Sequence, residues 1–187
     1  MRTVIERYYD QYFSIDNQGK ENEDQYINQH SNGVFVVGLA PTHPIISEQK
    51  SILKIEYSQA ALNNVFSGSG KKGAVKMNKE TAMCTIHCVD GTSYSIYPCV
   101  KGKLLEINKI LIDNPSMLLS KHATSAYICM IDPYDRETYM DKYQSKFLTF
   151  EQYHLKRNIP IQRGPTFKKD SDFGSADDGG GGNQQNQ

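Results

Sequence analysis

Between residues 26 and 131 the chain is a series of short β-rich runs cut apart by Gly, Asn, Asp and Pro. Tyr26 to His30 and Val34 to Leu39 flank Ser31-Asn32-Gly33. Asn-Gly accepts positive φ at low cost, so this stretch predicts a tight hairpin. Ala40-Pro41-Thr42-His43-Pro44 breaks the second strand. Ile52 to Tyr57 reads as another strand, with Leu53, Ile55 and Tyr57 on one face and Lys54 and Glu56 on the other. Met83 to Val89 and Thr92 to Ile96 form a second hairpin around Asp90-Gly91. Lys101 to Ile107 follows as a strand, then a turn at Asp113-Asn114-Pro115 and an apolar cap from Ser116 to Leu119. Ala126 to Ile131 closes the sheet, and Asp132-Pro133 ends it.

The two ends follow a different period. Val4, Ile5, Tyr8, Tyr9, Tyr12 and Phe13 recur at helical spacing and predict a short helix docked on the core. Ser14 to Asp24 is polar and reads as loop. Thr149 and Gln152 form a capping box, because each side chain can bond the other's backbone N–H. The helix they open runs to about Arg157, and Ile159-Pro160 stops it. Beyond Gln162 the chain turns to Lys, Asp, Gly, Gln and Asn, too little apolar surface to offset its ordering entropy. The expectation is one β domain over residues 1–158 and a disordered polar tail over 159–187. Two similar hairpins suggest a small barrel or sandwich with pseudo-symmetric halves.

Charge narrows the partners. The formal net charge is zero, so no global basic field exists to hold nucleic acid or an anionic membrane. The distribution is uneven: residues 29–131 carry ten lysines against six acids. Lys71, Lys72, Lys76 and Lys79 lie in one segment, and Lys101, Lys103 and Lys109 in another. If the hairpins pack as read, some of these lysines converge. No apolar run is long enough to span a bilayer, and the first residues carry acids where an export signal needs an apolar stretch. Reduced thiols in cytosol or nucleus are therefore expected for Cys84, Cys88, Cys99 and Cys129.

Little here points to catalysis. Cys84, His87, Cys88 and Cys99 invite a zinc reading, but on a strand Cys84 and Cys88 lie about 13 Å apart and His87 faces the other way. No metal and no cofactor are expected. The Ser67 to Gly73 stretch is Gly-rich and basic but lacks the order of a phosphate loop. Glu106 and Asn108 sit at a strand exit and read as a turn, with the Asn side chain bonding local backbone.

Val100, Gly102, Leu104, Leu105, Glu106, Ile107 and Asn108 form a run that resembles the second half of a lipoyl-carrier domain of the glycine-cleavage H-protein type. Such carriers place the acylated lysine nine positions before the valine, which here is Gly91. The resemblance implies a barrel-sandwich hybrid with flanking short helices whose cargo site has been lost. Further short motifs widen it: Val4 to Tyr9, Gln29 to Asn32, Leu39 to Pro44, Cys88 to Gly91, Cys99 to Asn108 and Asn114 to Ser116 occur in the order found in the Abitram (Simiate) family. That resemblance implies a non-enzymatic protein that binds actin monomer or filament, modulates transcription, and resides in nuclear speckles and cytoplasm. Leu155-Lys156-Arg157 also faintly resembles the L-K-K-T element of small actin-binding motifs. Lys71, Lys72, Lys101 and Lys103 are the candidate contacts with acidic actin. The alternative is a cargo-free accessory factor that docks on a lipoate or one-carbon enzyme.

Overall fold

The computed structural model describes residues 8–64, 73–136 and 138–161. Two antiparallel sheets hold the described strands. The first runs β10-β1-β2-β3-β9-β8-β5, from Leu148–Thr149 (β10) through Tyr9–Ser14 (β1), Gln25–His30 (β2), Phe35–Leu39 (β3), Cys129–Pro133 (β9) and Gly102–Ile107 (β8) to Lys76–Met77 (β5). The second runs β4-β6-β7: Ile52–Tyr57, Cys84–Cys88 and Ser93–Ile96. The two predicted hairpins thus fall into different and unequal sheets. Gly33 and Gly91 take φ of 83° and 84° at their turns, the left-handed backbone that their positions demand.

The main core lies between the sheets. Ile27, Val37, Leu39, Ile86, Leu104 and Ile131 are each fully buried there. A second cluster, Phe13, Tyr26, Val36, Ala40 and Tyr153, covers the other face of the large sheet beneath the C-terminal helix Phe150–Lys156. This explains the unbroken apolar run of β3: Phe35, Val37 and Leu39 serve one core while Val36 serves the other. Thr149 caps that helix as expected, accepting from Gln152 N–H while Gln152 Oε1 accepts from Thr149 N–H.

From Tyr9 onward the predicted N-terminal helix is instead strand β1, paired with β2 from Tyr9↔His30 to Ser14↔Gln25; residues 4–7 lie outside the described residues. Tyr12 packs on the main core and Phe13 on the second, so the same aromatics satisfy a two-sided strand, where their β propensity also places them. Leu53 does not face the core. A register shift between Ile52 and Lys54 turns it out to 62% exposure. Strand β9 does not close an edge but lies inside the large sheet between β3 and β8. Short helices at Pro44–Ser47, Gln59–Leu62 and Ile110–Asp113 were not foreseen. The first two are opened by side-chain caps, His43 on Ile45 N–H and Ser58 on Ala61 N–H. The predicted tail from residue 162 onward lies outside the described residues.

Candidate interaction surface

The β6–β7 turn is tied down at its tip. Asp90 Oδ1 accepts from Thr92 N–H at 2.9 Å and from Thr92 Oγ1 at 2.6 Å, while Oδ2 accepts from Lys50 Nζ at 2.7 Å. Lys50 also pairs with Glu48 at 3.1 Å. The Lys50 and Thr92 hydrogen bonds hold the Asp90 carboxyl well below the usual carboxylate range, and the two acids raise the Lys50 amine in turn. A side chain at Gly91 would meet nothing within 4 Å, so the tip is open but offers no amine of its own. The nearby amine of Lys50 is held by two carboxylates.

On the outer face of the small sheet, His87 Nδ1 lies 2.8 Å from Ser93 Oγ and Nε2 lies 3.1 Å from Glu56 Oε2. Lys54 bonds the other oxygen of Glu56. Atom by atom this resembles a serine–histidine–acid relay. All of these groups stand on an open, solvent-facing sheet, where a polar row across three strands is ordinary cross-strand pairing. The cysteines are buried as expected, and burial pushes the Cys99 thiol up to about 12. Among the described residues no cluster could hold a metal ion.

Of the four candidate lysines, Lys101 and Lys103 flank Gly102 at the start of β8, Lys101 exposed and Lys103 half-buried. Lys71 and Lys72 lie outside the described residues. The structure adds a neighbour: Lys76 on edge strand β5 stands directly opposite Lys103, and Asp132 of β9 opposes Lys103 from the other side. Asp132 is itself paired with Arg136. Like charges directly opposite on a sheet are destabilising, and Lys76 and Lys103 stand so on this edge. Gly102 permits the close approach that builds it, since a Cβ there would sit 2.3 Å from the Asp132 carbonyl oxygen.

Further along β8 a cleft of about 460 Å³ opens between helix Gln59–Leu62 and helix Ile110–Asp113. A β-bulge makes it: Leu104 pairs with Ile131 and Glu106 with Met130, leaving Leu105 unpaired. Leu105 lines the cleft with Leu62 and Ile110, which are 41% and 56% exposed. Tyr127 donates its hydroxyl proton to Glu106 on one wall, and the exposed Lys109 lines the cleft beside Ile110. Asn108 does not bond local backbone as expected. Its Nδ2 reaches across to the carbonyls of Ser125 and Tyr127 at 2.9 and 3.0 Å and fixes the wall that holds Tyr127. The cleft was invisible in the sequence because a bulge leaves no mark in residue pattern.

The L-K-K-T likeness does not survive as a surface. Leu155 is 84% exposed, but Arg157 turns inward to Asp24 and Asp16.

Comparison with known proteins follows this architecture. The family model described as Glycine cleavage H-protein matches residues 18–156. A glycine cleavage system H protein from Mycobacterium marinum superposes with a TM-score of 0.51 at 10% identity, covering 72% of this chain and 91% of that one, a likeness of fold alone. Protein Abitram of Dictyostelium discoideum is 47% identical over 174 residues, 91% of this chain and 97% of the relative. Protein Abitram of Homo sapiens is 36% identical over 135 residues, 70% of this chain and 75% of the relative.

Proposed function

The chain belongs to the Abitram family, built on the glycine cleavage H-protein fold, and from that premise we propose that it is a non-enzymatic actin-binding protein that regulates filament polymerisation. A transcription-modulating role in nuclear speckles, with a cytoplasmic pool, belongs to the same reading. The observation that carries it is the basic edge. Lys76 faces Lys103 directly, with Lys101 exposed beside them. A row of like charges is tolerated where an acidic partner compensates it, and such a rim gives affinity that falls with salt. The tip of the β6–β7 hairpin supports a role without cargo, since the neighbouring amine of Lys50 is engaged by Asp90 and Glu48.

Filament co-sedimentation tests the reading. The wild-type chain is expected to pellet with filaments, less so as salt rises, and Lys101→Glu with Lys103→Glu is expected to abolish pelleting. Lys71→Glu with Lys72→Glu is the second pair. Pelleting indifferent to all four changes rejects this surface. No pelleting by the wild type rejects filament binding, and no effect on polymerisation of monomer in addition rejects the actin reading. A second reading, cargo-free docking on a lipoate or one-carbon enzyme, draws on the fold. Intact-mass measurement after co-expression with a lipoyl ligase addresses its stronger form, in which a gain of one lipoyl group is the telling result.

A further inference from the structure

We infer that the chain associates with a second copy of itself: Leu155 on the C-terminal helix of one copy enters the β8 cleft of the other, between Leu62 and Ile110, and Glu151 meets Lys109.

The cleft is a ready socket. Leu62, Leu105 and Ile110 line it with apolar surface, and Leu62 and Ile110 remain exposed in the single chain. At about 460 Å³ it admits a bulky aliphatic side chain. Its two charged residues differ in standing. Glu106 accepts the Tyr127 hydroxyl, whereas Lys109 is exposed and forms no ion pair among the described residues. The occupant that matches is a large apolar side chain with a carboxylate at close range.

The chain itself carries such a knob. Leu155 is 84% exposed, more than any other large hydrophobic side chain among the described residues. Its helix is fixed at both ends, by the Thr149–Gln152 capping box at the start and by Arg157 on Asp24 at the finish. Phe150 and Tyr153 hold the underside in the second core cluster. Leu155 therefore projects from a rigid support, and little ordering is needed to dock it. Glu151 stands one turn before Leu155 on the same helix face. It is exposed, accepts from Thr149 Oγ1 at 3.4 Å, and has no cationic partner among the described residues. Val89 and Leu53 are the next most exposed, but the carboxylates near them, Asp90 and Glu56, are already paired with Lys50 and Lys54.

The exposure of Leu155 also shows that it does not reach the cleft of its own chain, so the socket it fills belongs to another copy. A knob on one copy and a socket on the next make a heterologous contact. The patch is small, so the association belongs in the range of about 1 μM to 1 mM.

Sedimentation equilibrium of the full chain between about 10 μM and 1 mM tests this without actin. None of the residues involved is Lys71, Lys72, Lys101 or Lys103, so the outcome is separate from that of the function proposed above. The wild-type mass is expected to rise above that of one chain with concentration. Leu155→Ala is expected to weaken association about tenfold, the scale of one buried aliphatic side chain. Lys109→Glu and Glu151→Lys are each expected to weaken it, and both together in one chain to restore it, because the charge pair is then reversed. Leu155→Glu spoils the knob and Ile110→Glu the socket. Each alone is expected to stay monomeric, and an equimolar mixture of the two to associate, because one intact contact remains. All four positions are exposed, so loss of folding does not cloud the result. A mass that stays at one chain throughout, association unchanged by Leu155→Ala, or a mixture no better than its components overturns the inference.

Discussion

Arg157→Ala is expected to be among the most damaging single changes outside the hydrophobic core. Arg157 closes the C-terminal helix and forks onto Asp24, with Nε to Oδ2 and Nη2 to Oδ1 both at 2.8 Å, while Nη2 also reaches Asp16 at 2.6 Å. Asp24 is fully buried. Its remaining partners are Thr42 Oγ1 at 2.6 Å and the Asp16 N–H at 2.9 Å. Removing the guanidinium leaves a buried carboxylate without its counter-charge, a loss of about 3–5 kcal/mol. At a urea slope of about 2 kcal/mol/M this moves the unfolding midpoint down by about 1.5–2.5 M. Arg157→Lys keeps the charge but not the fork, and is expected to lose about 1.5–3 kcal/mol, the scale of one charge-assisted hydrogen bond. Urea titration followed by circular dichroism reads all of these. The reasoning also requires coupling: in an Asp24→Asn background Arg157→Ala must cost at least about 1 kcal/mol less than in the wild type. An Arg157→Ala midpoint within about 0.5 M of wild type, or equal losses in both backgrounds, refutes the clasp.

Three further expectations concern the body. Burial lowers the fully buried His43 from 6.5 to about 4, so its stabilising effect is complete above pH 6.5 and is lost as pH falls towards 4. That amounts to about 3 kcal/mol, and His43→Asn, which can still cap Ile45, is expected to flatten stability against pH over this window. Cys84, Cys88, Cys99 and Cys129 are all buried and free, with their thiols raised by burial, so a disulfide reagent at mild alkaline pH is expected to find them only after denaturant is added. A fast thiol in the native chain counts against the packing of that cysteine. Gly102→Ala drives a methyl into the Asp132 carbonyl and is expected to cost about 1–3 kcal/mol in the same urea assay. Gly91→Ala meets open space and carries only left-handed backbone strain, about 1 kcal/mol; equal losses for the two contradict the close approach at Gly102.

Both hairpins, the body strands and the capping box were legible because each depends on neighbours in sequence: Asn32-Gly33, Asp90-Gly91, and Thr149 with Gln152. The N-terminal strand was not, because Tyr9, Tyr12 and Phe13 satisfy a helix period and a two-sided strand alike, and pairing with β2 decided between them. The outward turn of Leu53 and the unpaired Leu105 arise from register shifts with partners 30 or so residues away, which no local pattern encodes. The candidate lysines were legible as clusters but not as a pair. Only the β5–β8 ladder puts Lys76 opposite Lys103.

The run from Val100 to Asn108 shows why likeness to a carrier need not imply carriage. Five of its residues have a structural task. Gly102 lets β8 lie against the Asp132 carbonyl, Val100 and Leu104 are fully buried in the main core, and Ile107 is nearly so. Asn108 ties the end of β8 to the chain ahead of β9 through two carbonyls. None of these tasks involves a prosthetic group, so the run can persist in a chain that holds none. What separates a carrier from a binding module must lie where the fold makes no demand, at the hairpin tip and on the outer faces. At the tip Gly91 has empty space around it, and Asp90 fastens the turn to Lys50. A carboxylate at that position recruits the nearest amine into an ion pair, which opposes the free, nucleophilic amine that acylation requires. The outer faces are where this chain departs from neutrality, with the basic β5–β8 edge and the half-apolar cleft that continues it.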